Sequence, residues 1–193
     1  MSKISIEKCN DFCPQTLFAY GTYREDGRAN FGLFCWMTYY WDTDLGVVAC
    51  IGGSKKTRDL IHKNNVFSAN LVTQEMLPLA DYFGNKEGYD PQKMNIKVDV
   101  EKGAVLDVPV LVMSPVAFEL EAVRSLPMDD GEVFLCKIRN VLSEESLRDE
   151  GKTLEERFDV IRPVNSTCNS YFSWDGKFLG AWGEPMKELR EES

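Results

Sequence analysis

Strand-like runs separated by tight turns are the feature that most constrains what this chain folds into. Residues Thr16–Tyr23 are rich in aromatic and β-favouring side chains, and the hairpin dipeptide Asp26-Gly27 follows them. The next run, Asn30–Trp41, is dense in aromatic rings, which need a core or an interface to cover them. Leu45–Ile51 is continuously apolar, as in a strand that is covered on both faces. The first quarter of the chain therefore predicts consecutive strands joined by short turns.

The rest of the chain adds short helices and further strands. Short helices are predicted at Arg58–Asn64 and Glu75–Phe83, and the polar segment Gly84–Met94 is predicted to be an ordered loop or a lid. Further strands are predicted at Val66–Val72, Lys97–Val100, Val116–Val123 and Val133–Leu142, with a surface helix within Ser143–Phe158. Because strands predominate and turns recur regularly, the pattern favours a mainly β, closed antiparallel barrel with short inserted helices.

Length and charge bound the number of domains and the classes of partner. The 193 residues suffice for a single domain, 1–193, whose last residues, about 184–193, form an acidic tail. The net charge of −9 repels the phosphates of nucleic acids and anionic lipids, so we expect neither nucleic acid nor a membrane as a partner. The chain lacks a run of roughly 18 apolar residues and a signal-peptide core, so we expect a cytoplasmic protein.

The residues of common hydrolytic and metal sites are scarce. His62 is the only histidine, so a catalytic triad or dyad would have to use it, and the motifs of Rossmann, P-loop and zinc-protease sites are missing. Of six cysteines only Cys9 and Cys13 are close in sequence. Reduced structural thiols, or a redox or metal role for this pair, both stay open. The sequence therefore predicts no catalytic residue and no metal site.

Residues Gly52–Thr57, with the sequence GGSKKT, have the groups that a phosphate monoester needs. The glycines allow close approach of the backbone, Ser54 and Thr57 have hydroxyls, and Lys55 and Lys56 bring positive charge to a predicted helix start. The alternative is structural: a glycine turn, a helix cap and two solvated lysines. The spacing alone leaves both interpretations open.

The aromatic run before this loop is the second candidate binding segment. Residues Asn30–Trp41 could offer an apolar wall and backbone hydrogen bonds to a flat heterocycle. The alternative is that the rings only pack in the core.

Seven short motifs follow one another along Thr16–Gly183. They are Asp26-Gly27; Asn30; Thr57-x-x-x-Ile61; Phe67 with Asn70; Ala80-Asp81-x-x-Gly84; Gly88-x-Asp90-x-x-Lys93; and Pro163, Tyr171 and Leu179-Gly180. In this order the chain resembles the flavin reductase-like family with an FMN-binding split barrel, which includes flavoredoxin and NAD(P)H:flavin oxidoreductases.

The resemblance implies a fold, an assembly and a cofactor. The fold is an antiparallel split β-barrel that forms a homodimer, with FMN in a groove near the subunit interface. The phosphate is expected against the loop residues Ser54, Lys55, Lys56 and Thr57, with Lys93 as a second cation. The isoalloxazine ring is expected along Cys35, Trp36, Met37 and Thr38, and the further cofactor-binding candidates are Asn30 and Asn70.

The resemblance departs at Asp129–Phe134, where many members carry G-D-H-x-x-F and this chain has no histidine. Three functions stay open. The first is an NAD(P)H-dependent flavin reductase, in which NADH or NADPH donates electrons through bound FMN. The second is an electron carrier like flavoredoxin, whose acidic surface would suit a basic redox protein as partner. The third is a flavin-binding module without turnover.

Overall fold

A computed structural model of the protein describes residues 1–190, so the last part of the predicted acidic tail, 191–193, lies outside the described residues. Thirteen strands and three α-helices follow one another in this part of the chain. The strands are β1 (Gln15–Thr16), β2 (Phe18–Tyr23), β3 (Ala29–Phe34), β4 (Met37–Trp41), β5 (Leu45–Gly52), β6 (Val66–Leu71), β7 (Val100–Lys102), β8 (Pro109–Leu111), β9 (Val116–Met128), β10 (Gly131–Ser143), β11 (Val164–Thr167), β12 (Ser170–Ser173) and β13 (Phe178–Ala181). The helices are α1 (Lys56–Asn64), α2 (Leu77–Asn85) and α3 (Leu154–Ile161), with 3₁₀-helices at Glu145–Arg148 and Pro185–Arg190.

Seven of these strands form the main antiparallel sheet, in the order β3-β2-β6-β9-β10-β5-β4. The long hairpin of β9 and β10 lies at its centre, and its register shifts between Leu135 and Cys136 and again between Ile138 and Asn140. Such irregularities bend a strand and increase its twist. The sheet is therefore curved along its longest pair of strands.

The two edge strands of this sheet are consecutive in the chain. Only Cys35 and Trp36 join the end of β3 to the start of β4, and three successive Cα–Cα steps span at most about 11 Å. The edges of a flat seven-stranded sheet would be about 29 Å apart. The sheet therefore has to roll up at this end, and among residues 1–190 β3 and β4 form no ladder with each other. This arrangement confirms the predicted mainly β, antiparallel split-barrel fold. The closed barrel that the strand pattern favoured was wrong, because the edge strands β3 and β4 do not pair within the described residues.

Strand β2 is buried on both faces because it lies between two apolar clusters. Phe18 and Tyr20 point into the cluster inside the rolled sheet, where Tyr20 stacks on Phe34 of β3 with 4.7 Å between the ring centroids. Ala19, on the opposite face, joins the cluster beneath α2. The alternation of side chains along a strand thus lets one strand serve both cores.

A second, four-stranded sheet in the order β1-β11-β12-β13 packs next to α2, since Val164 and Tyr171 share an apolar cluster with this helix. The backbone N–H of Leu17 donates to Val164, and the N–H of Val164 donates to Val72, so this sheet joins the chain segments at the ends of β2 and β6. None of the helices within residues 1–190 is long and apolar enough to cross a membrane.

Three predictions of secondary structure differ from the structure. The aromatic run Asn30–Trp41 is two strands on opposite edges of the sheet, because the chain crosses the open seam at Cys35 and Trp36. The strand predicted at Lys97–Val100 begins only at Val100, where pairing with β8 starts. The strands β8, β11, β12 and β13 were not predicted, since each is only three or four residues long and takes its place from pairing with its neighbours.

Candidate functional site

The GGSKKT segment connects β5 to α1, as the sequence predicts. Gly53 has φ +71°, a left-handed conformation that favours glycine, and its carbonyl accepts a 2.7 Å hydrogen bond from Arg58 Nη1. Lys55 is the N-cap of α1, and its side chain makes no capping hydrogen bond. The first backbone N–H groups of a nine-residue helix therefore point toward the segment without a side-chain cap, which suits an anion.

Lys93 is the buried cation of this site. Its side chain is 3% exposed and, together with Ser54, Lys55, Lys56 and Thr57, it lines a pocket with about 440 Å³ of free space, which we call the cationic pocket. Lys93 Nζ donates one hydrogen bond, 2.8 Å long, to the Phe83 carbonyl. Within residues 1–190 it has no carboxylate at ion-pair distance. A buried ammonium with unused donors is costly without an anion.

The lowered pKa of Lys93 also indicates that this pocket favours an anion. Burial lowers the pKa of Lys93 to about 8, with smaller contributions from the charges of Arg24 and Lys55 in the same direction and from Glu87 in the opposite one. A bound dianionic phosphate would favour the charged form of Lys93. The cationic pocket is therefore built to gain from binding an anion.

A second buried group orients the hydroxyl of Thr57. Asn30 Nδ2 donates a 3.0 Å hydrogen bond to Thr57 Oγ1, so the hydroxyl proton of Thr57 is free to donate toward the pocket. Asn30 Oδ1 is buried and has no hydrogen-bond partner in the described part of the chain. The Cβ of any larger residue at Gly32 would lie 2.8 Å from Thr57 Oγ1. Asn30 thus acts through Thr57, and Gly32 keeps the space beside it open.

The segment after α2 covers the cationic pocket, as the predicted loop or lid would. Tyr89 donates a 2.7 Å hydrogen bond to Asp59 Oδ2 on α1, and its hydroxyl lies 3.2 Å from Ser54 Oγ. Lys56 Nζ lies 5.9 Å from the centroid of the Tyr89 ring, within the range of a cation–π interaction. These contacts hold the segment against the N-terminus of α1.

An adjacent pocket is lined mainly by apolar and aromatic side chains. It has about 450 Å³ of free space and shares Leu33, Phe34 and Gly84 with the cationic pocket, and we call it the aromatic pocket. Its other lining residues are Leu17, Cys35, Asn85, Ser166, Tyr171 and Trp182. Together the two pockets form a groove with a cationic end and an aromatic end.

Asp81 fixes the far wall of the aromatic pocket, although its side chain is fully buried. Asp81 accepts hydrogen bonds from Asn85 Nδ2 (2.6 Å), Tyr171 Oη (2.7 Å), Gly183 N (2.9 Å) and Met186 N (3.0 Å). Burial and the Asp81 carboxylate raise the pKa of Tyr171, which stays a hydrogen-bond donor. Trp182 Nε1 donates to Ser166 Oγ at 3.1 Å, which orients the ring beside this wall.

The structure places some of the predicted site residues in the lining of the two pockets and leaves others outside it. Ser54, Lys55, Lys56, Thr57 and Lys93 line the cationic pocket, and Asn30 lies behind it. Of the four residues predicted along the ring, Cys35 lines the aromatic pocket. Trp36 lies beside Gly52, with about half its surface exposed, and Met37 packs against the core inside the rolled sheet. Thr38 is exposed on β4.

Asn70 lies away from the lining of both pockets. It is fully buried on β6, where Nδ2 donates to the Ala19 carbonyl and to Ser68 Oγ, and Oδ1 accepts from the N–H of Leu111. These bonds tie β8 to the main sheet. The sequence did not predict Tyr171 and Trp182 as pocket residues. The signal available was an aromatic residue between glycines, Gly180 to Gly183, in a tail that also contains Tyr171 and Trp174.

The sequence profile described as the flavin reductase like domain matches residues 12–158, which include α1, the GGSKKT segment and Lys93. The chain belongs to this family. A flavin-related redox function follows for this member of the family, and the groove fits a flavin: its buried lysine and open helix end suit a phosphate, and its aromatic end suits a ring system.

Solved structures extend the likeness of this family member over nearly its whole length. Flavoredoxin from Methanosarcina acetivorans superposes with a TM-score of 0.78 at 23% identity and covers 98% of this chain and 100% of its own. Flavoredoxin of Desulfovibrio vulgaris (Miyazaki F) gives 0.78 at 22% identity, covering 95% and 98%. The FMN-binding protein from Thermus thermophilus gives 0.72 at 19% identity, covering 90% and 93%. At these identities the likeness demonstrates the shared fold.

Proposed function

We propose that the protein binds FMN in the groove, with the phosphate in the cationic pocket and the isoalloxazine ring toward the aromatic pocket. The observation that carries this proposal is the buried Lys93, which lines the same pocket as the N-terminus of α1 and has no carboxylate partner within the described residues 1–190. The phosphate would be held by the backbone at the start of α1, by Ser54 and Thr57, and by the lysines. The FMN-binding protein of T. thermophilus, with the same fold, supports FMN as the ligand.

The proposed activity is NAD(P)H-dependent flavin reduction. Bound FMN would supply the hydride chemistry, while this chain holds and orients the flavin and limits access of water. Phe34 lines both ends of the groove and is itself supported by stacking on the buried Tyr20. No side chain of the protein has to donate or remove a proton for this role, which agrees with the shortage of histidine.

Electron transfer between proteins is the second candidate function. It is favoured by the likeness to two flavoredoxins over 95% or more of this chain, and by the net charge of −9, which suits docking to a basic partner. In this case the electrons would come from a protein donor. The proposed compartment is the cytoplasm, where six unpaired cysteines fit a reducing environment.

Absorbance spectra of the purified protein distinguish these functions. After incubation with FMN and desalting, we expect retained absorbance near about 450 nm that bleaches under anaerobic conditions when NADH or NADPH is added. Retained colour that resists both nicotinamides but bleaches with dithionite would favour the electron carrier. A colourless protein whose thermal stability is unchanged by FMN would contradict the proposed cofactor.

We further propose that the protein is a homodimer that uses the edge of its main sheet. β4 is an edge strand, and its Tyr39 and Trp41 are 53% and 74% exposed on the same face. Exposed aromatic side chains on an unpaired edge favour association. The native mass is therefore expected to be about twice 22.0 kDa by light scattering, and Trp41→Glu should shift it toward the monomer.

Trp174→Glu is the matched control for the dimer. Trp174 is 60% exposed but lies in the turn between β12 and β13, away from β4. An unchanged mass for Trp174→Glu together with a halved mass for Trp41→Glu would support the edge as the interface. A monomeric wild-type protein would refute the dimer.

A further inference from the structure

The pairing of β1 with β11 brings two distant cysteines together. Gln15 pairs with Ser166 and Thr16 with Asn165 in an antiparallel register. The ladder begins at Gln15, and if its register were continued by two residues it would set Cys13 opposite Cys168. The two residues are 155 positions apart in the sequence, and only the pairing of the strands brings their segments together.

Side-chain contacts confirm that the N-terminal segment stays close to the β11 end beyond the paired residues. Thr167 Oγ1 donates a 3.5 Å hydrogen bond to the Asn10 carbonyl and lies 3.6 Å from Cys168 Sγ. The backbone N–H of Cys13 donates to the same Asn10 carbonyl at 3.3 Å. The Asn10 carbonyl therefore accepts hydrogen bonds both from Cys13 and from Thr167, the residue before Cys168.

The surroundings of the two cysteines suit a covalent link. Disulfides span Cα distances of about 4.4–6.8 Å, and the contacts that run from the Cys13 N–H through the Asn10 carbonyl and Thr167 Oγ1 to Cys168 Sγ keep the two residues close. Cys13 follows an exposed turn, and Cys168 begins the β11–β12 turn with φ +52°, so neither residue is held in a regular ladder. The backbone can therefore adjust to the remaining requirements of a disulfide.

Accessibility separates this pair from the cysteines of the core. Cys13 is exposed and Cys168 half-buried, and both are free thiols in the structure. Cys136 lies in the core, where burial raises its pKa to about 12, and burial also raises the pKa of Cys35 and Cys50. A thiolate is the reactive form, so the core thiols react slowly by comparison.

We propose that Cys13 and Cys168 form a thiol–disulfide site that reacts with low-molecular-weight disulfides. In the first step one cysteine attacks a disulfide RSSR, forms a mixed disulfide and releases one RSH. In the second step the other cysteine attacks the mixed disulfide, forms the Cys13–Cys168 bond and releases the second RSH. The two cysteines are oxidised, RSSR is reduced to two RSH, and both thiol protons leave on the products.

The site borders the aromatic pocket but does not depend on the flavin. Ser166, which pairs with Gln15, holds the indole of Trp182, and the Trp182 backbone N–H donates to the Asn169 carbonyl next to Cys168. Formation of the disulfide would fasten the N-terminal segment to this wall. It would also close a loop of more than 150 residues, which constrains the unfolded chain.

Oxidised glutathione is the probe for this proposal, and Cys9→Ser is the matched variant, because Cys9 is the other exposed thiol of the N-terminal segment. We expect treated Cys9→Ser protein to lose two thiols without gaining glutathione, and to yield a reducible crosslink between peptides containing Cys13 and Cys168. Its midpoint of thermal unfolding should rise by roughly 5–15 °C relative to the same protein after reduction.

The Cys13→Ser variant removes one of the two proposed partners and therefore tests whether the disulfide needs Cys13. The treated Cys13→Ser variant should show no rise in unfolding midpoint and should retain bound glutathione at Cys168. Glutathione adducts at both Cys13 and Cys168 in Cys9→Ser, with no crosslink between them, would overturn the proposal. A wild-type crosslink that runs through Cys9 would overturn it as well.

Discussion

Replacement of Lys93 by Met is expected to weaken FMN binding by roughly 10- to 100-fold, the worth of a charge-assisted contact to a phosphate. Met keeps the apolar stem that Lys93 buries and removes only the ammonium, so the fold should be retained. Affinities are measured by quenching of flavin fluorescence. Riboflavin, which lacks the phosphate, is the control ligand, and its affinity should be unchanged by the substitution.

Lys63→Met is the matched control protein for this measurement. Lys63 lies in the last turn of the same helix, α1, and pairs with Glu25 on the surface. The substitution removes the same charge without touching the cationic pocket, so FMN affinity should stay within about twofold. Equal losses in Lys63→Met and Lys93→Met, or an equal loss for riboflavin, would contradict the assignment of the phosphate to Lys93.

The pH dependence follows from the lowered pKa of Lys93. In the free protein the ammonium loses its proton as pH rises through about 8, so FMN affinity should fall above that pH. Below it the affinity should stay constant until the phosphate itself takes up a proton at about pH 6. In the unfolded chain a lysine keeps its proton to about pH 10.4. Between these values unfolding takes up a proton, so the flavin-free protein should become more stable as pH rises. Thermal unfolding of wild type and Lys93→Met should converge across this window.

Replacement of Asp81 by Ala is expected to lower the free energy of unfolding by about 3–5 kcal/mol, because several buried donors lose their acceptor. The donors are Asn85 Nδ2, Tyr171 Oη and the N–H groups of Gly183 and Met186. For a chain of this length the midpoint of thermal unfolding should fall by roughly 6–20 °C. Differential scanning calorimetry of the flavin-free protein measures the change.

Two further variants test whether the buried carboxylate is responsible. Asp81→Asn keeps the oxygen that accepts from Tyr171 and Gly183 but places an amide beside the Met186 N–H, so its loss should be intermediate. Asp107→Ala removes an exposed carboxylate that pairs with Lys102 on the surface, and should change the stability by less than about 0.5 kcal/mol. If Asp81→Ala lowered the free energy of unfolding no more than Asp107→Ala does, the proposed stabilising role of the Asp81 carboxylate would be refuted.

The fold class could be predicted because its signals are local. Alternating aromatic runs, the Asp26-Gly27 turn and the glycines after β5 act within a few residues, and they predicted most strands of the main sheet and the helix after GGSKKT. The division of Asn30–Trp41 was not predictable in this way. Cys35 and Trp36 are as apolar as their neighbours, and only the closure of the rolled sheet requires the chain to change edges there.

The candidate site, like the fold, could be predicted from the sequence only in part. The groups of the phosphate loop are contiguous in sequence, so their chemistry could be recognised before their positions were known. The aromatic pocket combines Leu33 and Cys35 with Tyr171 and Trp182, which come from opposite ends of the chain. No local pattern encodes such a combination, since it depends on the docking of the second sheet against α2 through Asp81.

The sequence by itself determined the mainly β class, the family resemblance and the types of residue available for an anion. These depend on periodicity, turn chemistry and composition, which the chain carries in every conformation. Only the tertiary structure decided that Lys93 is buried with no carboxylate of residues 1–190 at ion-pair distance, that Asn70 supports β8, and that β1 pairs with β11. Burial and strand register arise from contacts between distant segments, and such contacts exist only in the folded chain.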